Sequence, residues 1–141
     1  MVELISEKIS VDKILSELED HSAGGAVLFL GRVREHANGR QVTQMDYEAH
    51  PEMALKKMTE IETEAKRRWP VKKMIIVHRT GRLQLGEVSV AIAVACPHRK
   101  EAFEACRFAI DTLKETVPIW KKEYFRDGEA WVEGKVPKSL K

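Results

Sequence analysis

The ten residues from Val88 to Pro97 constrain the fold of this chain most, because none of them carries a charge. Bulky and small side chains alternate along this stretch, which is the period of a β-strand. The bulky positions are Val88, Val90, Ile92 and Val94, and the small ones are Ser89, Ala91, Ala93 and Ala95. A strand that is apolar on both faces is expected in the middle of a sheet, and its small face lets a helix or loop approach closely. The stretch is too short to cross a membrane, which takes about 20 apolar residues.

A long helix is predicted directly after this strand. Pro97 ends the strand, and positions 98–117 show the spacing of a helix with one apolar face. Pro118 stops the helix, because a proline cannot continue it. The predicted apolar face consists of Ala102, Phe103, Cys106, Ala109, Ile110 and Leu113.

Two further helices are predicted upstream. Ser10 is a suitable N-cap for a helix that starts at Val11. Pro51 suits the first turn of another helix, which ends near Trp69-Pro70. The apolar positions of the first helix are Val11, Ile14, Leu15 and Leu18, and those of the second are Ala54, Met58, Ile61 and Ala65.

Strands fill the intervals, so the predicted order of elements is α-β-β-α-β-β-α-β-β. The remaining strands and turns are a buried strand at 26–30 closed by Gly31, a polar loop at 32–40 with an Asn38-Gly39 turn, a strand with Thr43, Met45 and Tyr47 on one face, a strand at 73–80, a connection from Gly81 to Gly86, and a hairpin around Asp127-Gly128. Strands that are partly adjacent in sequence predict an α+β fold with a mixed sheet. Because no repeat or linker divides residues 1–141, we expect a single domain with a polar tail from Lys135.

Charge and cysteine usage limit the class of protein. The 24 Lys and Arg residues against 22 Asp and Glu leave a net charge of +2, which argues against a strongly basic nucleic-acid binder. The N-terminus has early acidic residues and no long apolar segment, so we expect no signal peptide and a cytoplasmic protein. Cys96 and Cys106 lie in apolar surroundings and are expected to be buried free thiols rather than a disulfide or a metal pair.

The first candidate for chemistry is the basic run at 31–36. Arg32 and Arg34 follow the end of the predicted strand, and guanidinium groups bind phosphate oxygens in a fork geometry. The alternative is a solvated charged loop, which is common.

The second candidate is the junction at 96–99. His98 and Arg99 stand at the N-terminus of the long helix, where backbone N–H groups and the helix dipole favour an anion. The alternative is that His98 caps the helix and Arg99 lies in solvent.

The third candidate is Lys114 with Lys121 and Lys122, on the two sides of Pro118. At about 100° per residue, Lys114 borders the apolar face of the long helix. A partly desolvated lysine loses proton affinity and can act as a base or nucleophile. The alternative is a surface lysine that extends its ammonium into water.

Common catalytic and metal motifs are absent from the sequence. It contains no GxGxxG, no P-loop and no GxSxG. The five histidines have no ligand-like spacing to cysteines or acidic residues.

Several short blocks of the chain occur together in an order that points to one family. They are Phe29-Leu30-Gly31-Arg32-Val33-Arg34, Tyr47-Glu48-Ala49-His50-Pro51-Glu52-Met53, Arg68-Trp69-Pro70, His78-Arg79-Thr80-Gly81, Pro97-His98-Arg99, Ala102-Phe103-Glu104-Ala105, Leu113-Lys114 and Pro118-Ile119-Trp120-Lys121-Lys122-Glu123. Together they resemble the large, catalytic subunit of molybdopterin synthase over about residues 25–133. Residues 1–24 and 135–141 match poorly.

The resemblance implies an α+β, hammerhead-like domain with a mixed/antiparallel sheet flanked by helices and a small additional β subdomain. It implies a sulfurtransferase that converts cyclic pyranopterin monophosphate into molybdopterin by installing a dithiolene. The sulfur would arrive on the C-terminal Gly-Gly thiocarboxylate of a small ubiquitin-like partner, so no cofactor or metal is implied. The implied assembly is a heterotetramer, with a central homodimer of this chain and one small subunit at each end.

The resemblance also implies roles for individual residues. Lys114 and Lys121 match the two catalytic lysines of the family. The positions that match its substrate-binding residues are Arg32, Val33, Arg34, His98, Arg99, Lys122 and Glu123. We expect neighbouring strands to bring Arg34, His98 and Arg99 together around the phosphate of the substrate.

Two other functions remain open from the residues themselves. The strand end at 31–33 also fits the anion loop of an acylphosphatase-like enzyme, although that function leaves His98 and the lysines unexplained. A small RNA-binding module would need exposed aromatic side chains on a sheet face. Capture of a partner of about 80 residues that ends in Gly-Gly distinguishes the three.

Aromatic residues in the C-terminal half give indirect support for an assembly. Trp120, Tyr124, Phe125 and Trp131 are more than a short hairpin buries by itself, and such residues are favoured at interfaces. The alternative is that they pack on their own domain.

Overall fold

The computed structural model describes residues 1–37, 39–126 and 128–132. The elements in chain order are β1 (Val2–Ile5), α1 (Val11–Glu17), β2 (Gly25–Arg32), β3 (His36–Ala37), β4 (Arg40–Ala49), α2 (Pro51–Arg68), β5 (Lys73–Arg79), β6 (Gly81–Gln84), β7 (Val88–Cys96), α3 (Arg99–Thr116), β8 (Ile119–Phe125) and β9 (Gly128–Val132). The predicted order is confirmed, and β1, β3 and β6 are added to it.

The first sheet has the strand order β1-β5-β7-β2, and β7 lies inside it as its two apolar faces require. β1 runs parallel to β5, while β7 is antiparallel to both β5 and β2. The bulky face of β7 packs in the same core as α2 and α3. The small face, with Ala91, Ala93 and Ala95, packs against Ile14 and Leu18 at α1. The alternation of side chains in β7 therefore places a helix on each side of this sheet.

The prediction that residues 26–30 are a buried strand is wrong. Within the described residues β2 pairs only with β7, so it forms an edge of the sheet. Ala26 is exposed and Phe29 is 37% exposed. Apolar composition predicted the strand correctly, but an apolar edge strand and an apolar central strand look alike in sequence.

The second sheet is built around β4, which pairs with β3, β6 and β8, and β8 continues to β9. The segment from Gly81 to Gly86 is therefore partly a strand, β6, and not only a connection. A register shift between Val42 and Gln44 turns Val42 into the core and leaves Thr43 exposed. The predicted Thr43, Met45 and Tyr47 face is thus correct only for its last two members.

The helices follow the predicted spacing, with two corrections. α1 buries Ile14 as expected, whereas Leu15 is 47% exposed. α2 buries Ala54, Met58, Ile61 and Ala65 as expected. α3 buries Ala102, Ala105, Cys106, Ala109 and Leu113, whereas Phe103 is 62% exposed. The buried face of α3 is rotated by roughly 50° from the predicted one, so that Ala105 replaces Phe103.

The fold class is the predicted α+β arrangement of a mixed sheet flanked by helices with an additional antiparallel β unit, which has five strands against four in the mixed sheet and is therefore not the small unit that was expected. Cys96 and Cys106 are buried free thiols, as expected, and burial raises the pKa of Cys106 to about 11. No helix among the described residues is long and apolar enough to span a membrane. The Asn38 and Asp127 turn positions and the tail from Lys135 lie outside the described residues.

Candidate functional site

Lys114 and Lys121 lie close together where α3 turns into β8. Lys114 is in the last turn of α3, which ends at Thr116, and Lys121 is the third residue of β8. The side chain of Lys114 keeps solvent-exposed surface, but protein atoms crowd its ammonium. This partial burial lowers the pKa of Lys114, and the positive charge of Lys121 lowers it further.

Glu123 is a buried carboxylate beside this lysine pair. Its side chain is 2% exposed, and its Oε1 lies 3.4 Å from Nζ of Lys121. Within the described part of the chain its Oε2 is buried without a hydrogen-bond partner. The ion pair restrains Lys121, and one buried acceptor oxygen remains.

Two rings that the sequence analysis did not select lie next to the lysine pair. Tyr47 on β4 is paired in register with Lys121, so their side chains share one face of the sheet. The ring of Tyr47 meets the ring of His78 edge-on, with centroids 5.4 Å apart. His78 is 2% exposed and Tyr47 is 7% exposed. The sequence signal that could have indicated His78 is a titratable residue inside an otherwise apolar strand.

The run at 32–34 contributes two exposed cations at the end of β2. Arg32 and Arg34 are exposed, as the candidate anion site requires. Val33 differs, because its side chain is 2% exposed and belongs to the core. The N–H of Val33 donates to Glu87 O, so neither its side chain nor that N–H is available to a ligand.

His98 and Arg99 lie at the other end of the same helix. His98 is the N-cap residue of α3 but makes no capping hydrogen bond with its side chain, whereas Arg99 is exposed, so the alternative is wrong for the His98 side chain and correct for Arg99. Arg99 is about 22 Å along the helix axis from Lys114, at 1.5 Å per residue. Within one chain, the structure therefore separates His98 and Arg99 from the lysine pair.

The expectation that neighbouring strands bring Arg34 to His98 and Arg99 is wrong for a single chain. Residues after β2 and residues after β7 would meet at one edge only if the two strands were parallel. The strands are antiparallel, with Gly25 opposite Cys96 and Arg32 opposite Val88. The arginines at 32 and 34 consequently lie at the end of the sheet opposite to His98.

Lys122 lies on the other face of β8 from Lys121 and Glu123. Its Nζ is 5.3 Å from the ring centroid of Tyr124. Tyr124 in turn donates to Asp46, which also accepts two hydrogen bonds from Arg82. The strand alternation thus removes Lys122 from the lysine pair.

The described residues contain no group of three or more His, Cys, Asp or Glu side chains arranged to hold a metal ion. The fold and the site define a small α+β domain that presents a lysine pair, one member with a lowered pKa, beside a buried carboxylate. The chain belongs to the MoaE protein family, whose model matches residues 4–116.

Individual relatives agree with this assignment. The molybdopterin synthase catalytic subunit of Halalkalibacterium halodurans is 43% identical over 129 residues, which are 92% of this chain and 83% of the relative. The crystal structure of molybdopterin synthase from Staphylococcus aureus superimposes with a TM-score of 0.87 at 41% identity, covering 92% of this chain and 95% of that one. A complex of subunits 1 and 2 of molybdopterin-converting factor from Helicobacter pylori has a TM-score of 0.78 at 18% identity, covering 96% and 92%, and shows the same fold.

Proposed function

We propose that this chain is the catalytic subunit of a molybdopterin synthase, a sulfurtransferase of molybdenum cofactor biosynthesis. The family match and the relatives that carry this name support the proposal. The observation that carries it is the lysine pair at the α3–β8 junction, in which partial burial lowers the pKa of Lys114. We place the protein in the cytoplasm, where its two free thiols stay reduced.

The reaction moves sulfur from a protein carrier to cyclic pyranopterin monophosphate. In each transfer, the thiocarboxylate sulfur of the ubiquitin-like partner forms a bond to a carbon of the substrate and a C–O bond at that carbon breaks, so that the oxygen leaves as water or stays on the opened phosphate. Water then cleaves the bond between that sulfur and the partner's carbonyl carbon, and the partner leaves as a carboxylate. Two such transfers give the dithiolene of molybdopterin.

The two lysines have different surroundings, and we assign them different roles. Lys114 is the general base, because partial burial and the charge of Lys121 lower its pKa and so raise its neutral fraction at any given pH above that of an ordinary lysine. Lys121 is the fixed cation that stabilises negative charge on the reacting groups, because Glu123 restrains its ammonium. Glu123 is 2% exposed, and within the described residues its Oε2 is buried without a hydrogen-bond partner, so it acts on the substrate through the ammonium of Lys121 rather than by direct contact.

The anion-binding residues lie at both ends of α3. Arg32 and Arg34 are at the end that carries the lysine pair, and His98 with Arg99 is about 22 Å away. One small substrate cannot contact both groups in a single chain. We therefore propose that a complete site combines Lys114 and Lys121 of one protomer with His98 and Arg99 of its partner.

The edge strand β2 is suited to join two protomers in this way. β2 follows the direction of α3, since both run antiparallel to β7, and Gly25 lies against the backbone of Arg99. A second copy paired antiparallel along β2 would place its Arg32 end near the first copy's Arg99. The exposed Phe29 and Phe103 supply apolar area for such a contact, whereas Phe125 is buried in its own domain.

Incubation of this chain with cyclic pyranopterin monophosphate and the thiocarboxylated partner tests the proposed function. The expected result is formation of the dithiolene product, which is detected through its fluorescent oxidation product. The same partner with an ordinary C-terminal carboxylate should give no product. A chain that binds neither the carrier nor the precursor, and forms no dithiolene, would contradict the proposal.

A further inference from the structure

We propose that the rings of His78 and Tyr47 form the floor of the lysine site, and that His78 is a positioning residue that keeps water away from the amine of Lys114. What these two rings contribute to catalysis rests on the proposed function. The physical claim concerns the surroundings of Lys114 in this chain and can be tested separately.

Contacts between three strands connect His78 to the lysine pair. His78 is the penultimate residue of β5, and its ring lies 5.4 Å from that of Tyr47 on β4. Tyr47 is paired with Lys121 on β8, and Lys121 lies 3.4 Å from Glu123. Both rings are less than a tenth exposed, so the lysines stand over a dry surface.

The orientation and charge of His78 are fixed by its surroundings. Its Nδ1–H donates to the carbonyl oxygen of Arg79 at 2.9 Å, so the neutral ring carries its proton on Nδ1. Burial lowers the pKa of His78 to about 4, and the charge of Lys114 contributes in the same direction. His78 is therefore a neutral, space-filling ring at any pH at which the lysine could act as a base.

The charged and titratable groups around Lys114 come from three strands. β8 contributes Lys121 and Glu123, β5 contributes His78, and β4 contributes Tyr47. The charges of Lys121 and Glu123 oppose each other at 3.4 Å. Partial burial is the largest cause of the lowered pKa of Lys114, and the buried rings of His78 and Tyr47 are neutral groups near the lysine pair that we assign a part in it.

Two substitutions of His78 separate this role from simple anchoring of β5. The His78→Asn variant keeps a donor near Arg79 O but leaves room for a water molecule, because its side chain is smaller. The His78→Phe variant keeps a ring of similar size and loses that donor. If His78 excludes water from Lys114, the size of its ring is what matters. If it only anchors β5, its hydrogen bond to Arg79 O is what matters.

Acetylation of the full chain with acetic anhydride across a pH series, followed by peptide mass mapping, measures the proton affinity of Lys114. The exposed Lys56 on α2 is the internal reference. In His78→Asn we expect the midpoint for Lys114 to move to higher pH, so that its neutral fraction at a given pH falls at least about threefold, or half a pKa unit. In His78→Phe the neutral fraction of Lys114 at a given pH should stay within about twofold of the wild-type value.

Two results for these variants would contradict the proposal that His78 excludes water from Lys114. An unchanged midpoint in His78→Asn, or an equal shift in both variants, would assign His78 an anchoring role only. If His78→Asn does not fold, Tyr47→Leu opens the same floor from β4 and should raise the midpoint for Lys114; no rise there also rejects the proposal.

Activity measurements then separate this inference from the proposed function. With the carrier and precursor, His78→Asn should move the rising limb of the kcat–pH profile to higher pH and leave KM nearly unchanged. Acetylation uses neither substrate nor partner, so a shifted midpoint without any dithiolene formation would support the floor and count against the sulfur-transfer function.

Discussion

The properties of Lys114 come from residues that are remote from it in sequence. Helical spacing placed Lys114 at the border of the predicted α3 stripe, but the observed buried face is rotated away from it and Lys114 is exposed, so only the possibility of desolvation was predictable. The groups that lower its pKa are contributed by β8 and by the packing of the site, which periodicity does not describe. Sequence reasoning therefore found the lysine but not Tyr47 and His78 beside it.

Replacement of Lys114 tests its assignment as the base. Lys114→Ala should lower the rate of sulfur transfer about 100-fold or more, the usual effect of a positioned acid–base group. Binding of the partner should change little, because the variant removes a single side chain at the end of α3. Single-turnover kinetics measures the rate, and Lys56→Ala, an exposed lysine on α2, is the matched control. Near-normal turnover of Lys114→Ala would exclude the role.

His78 makes the stability of the fold depend on pH. Its pKa is about 4 in the folded chain against about 6.5 in the unfolded chain, because of burial. The unfolded state therefore binds the proton more readily, and this contribution to stability is complete above pH 6.5 and lost as the pH falls towards 4. Urea unfolding should show a loss of roughly 2 to 3 kcal/mol from this group between pH 7 and pH 4. His78→Phe should lack that part of the pH dependence, and identical pH slopes in the two proteins would contradict it.

Arg99 should affect substrate binding more than the chemical step. Its place at the N-terminus of α3 combines a guanidinium with free backbone N–H groups, which suits a phosphate. Arg99→Ala should raise KM for the precursor about 10-fold or more, as expected for the loss of a charged hydrogen bond, with a smaller change in kcat. Steady-state kinetics at two salt concentrations measures both, and an unchanged KM would place the phosphate elsewhere.

At the scale of elements, periodicity predicted long segments well and short ones poorly. The α2 stripe and the two faces of β7 appear as expected, since each is set by many residues in one pattern. β1, β3 and β6 were missed because strands of two to four residues carry too little alternation. The local sequence pattern also did not show that β2 and β7 are antiparallel. Their relative direction determines which candidate residues can meet within one chain.

The small face of β7 should not accept a large side chain. Ala93 is fully buried between the sheet and α1, in the cluster that includes Ile14 and Leu18. Ala93→Leu should destabilise the fold by about 1 to 3 kcal/mol through overpacking. It should also speed amide exchange in α1 before α3, because α1 packs on that face and α3 packs on the opposite one. Ala26→Ser on the exposed edge strand is the control, and equal stability of the two variants would contradict this account of the packing.

At the scale of the whole molecule, the candidate residues form two groups that lie at opposite ends of α3. One group contains the lysine pair, and the other contains His98 and Arg99. The proposed antiparallel pairing along β2 would bring them together and would also cover Phe29, which is 37% exposed. Phe29→Lys should therefore favour the monomer and lower the rate of sulfur transfer while the fold is retained. Light scattering and circular dichroism measure assembly and folding, and an unchanged dimer would show that β2 is not the contact.

Mixing two defective variants gives the most direct test of a shared site, at a precursor concentration well below KM, where the raised KM of Arg99→Ala lowers its rate. In Lys114→Ala the lysine end is defective and in Arg99→Ala the helix N-terminal end is defective, so each homodimer has two damaged sites. A mixed dimer has one site in which both intact ends meet and one in which both are damaged. Random mixing after refolding together should therefore restore about a quarter of the wild-type activity, since half of the dimers are mixed and each has one working site. If all the residues acted within one chain, mixing would restore nothing beyond the average of the two variants.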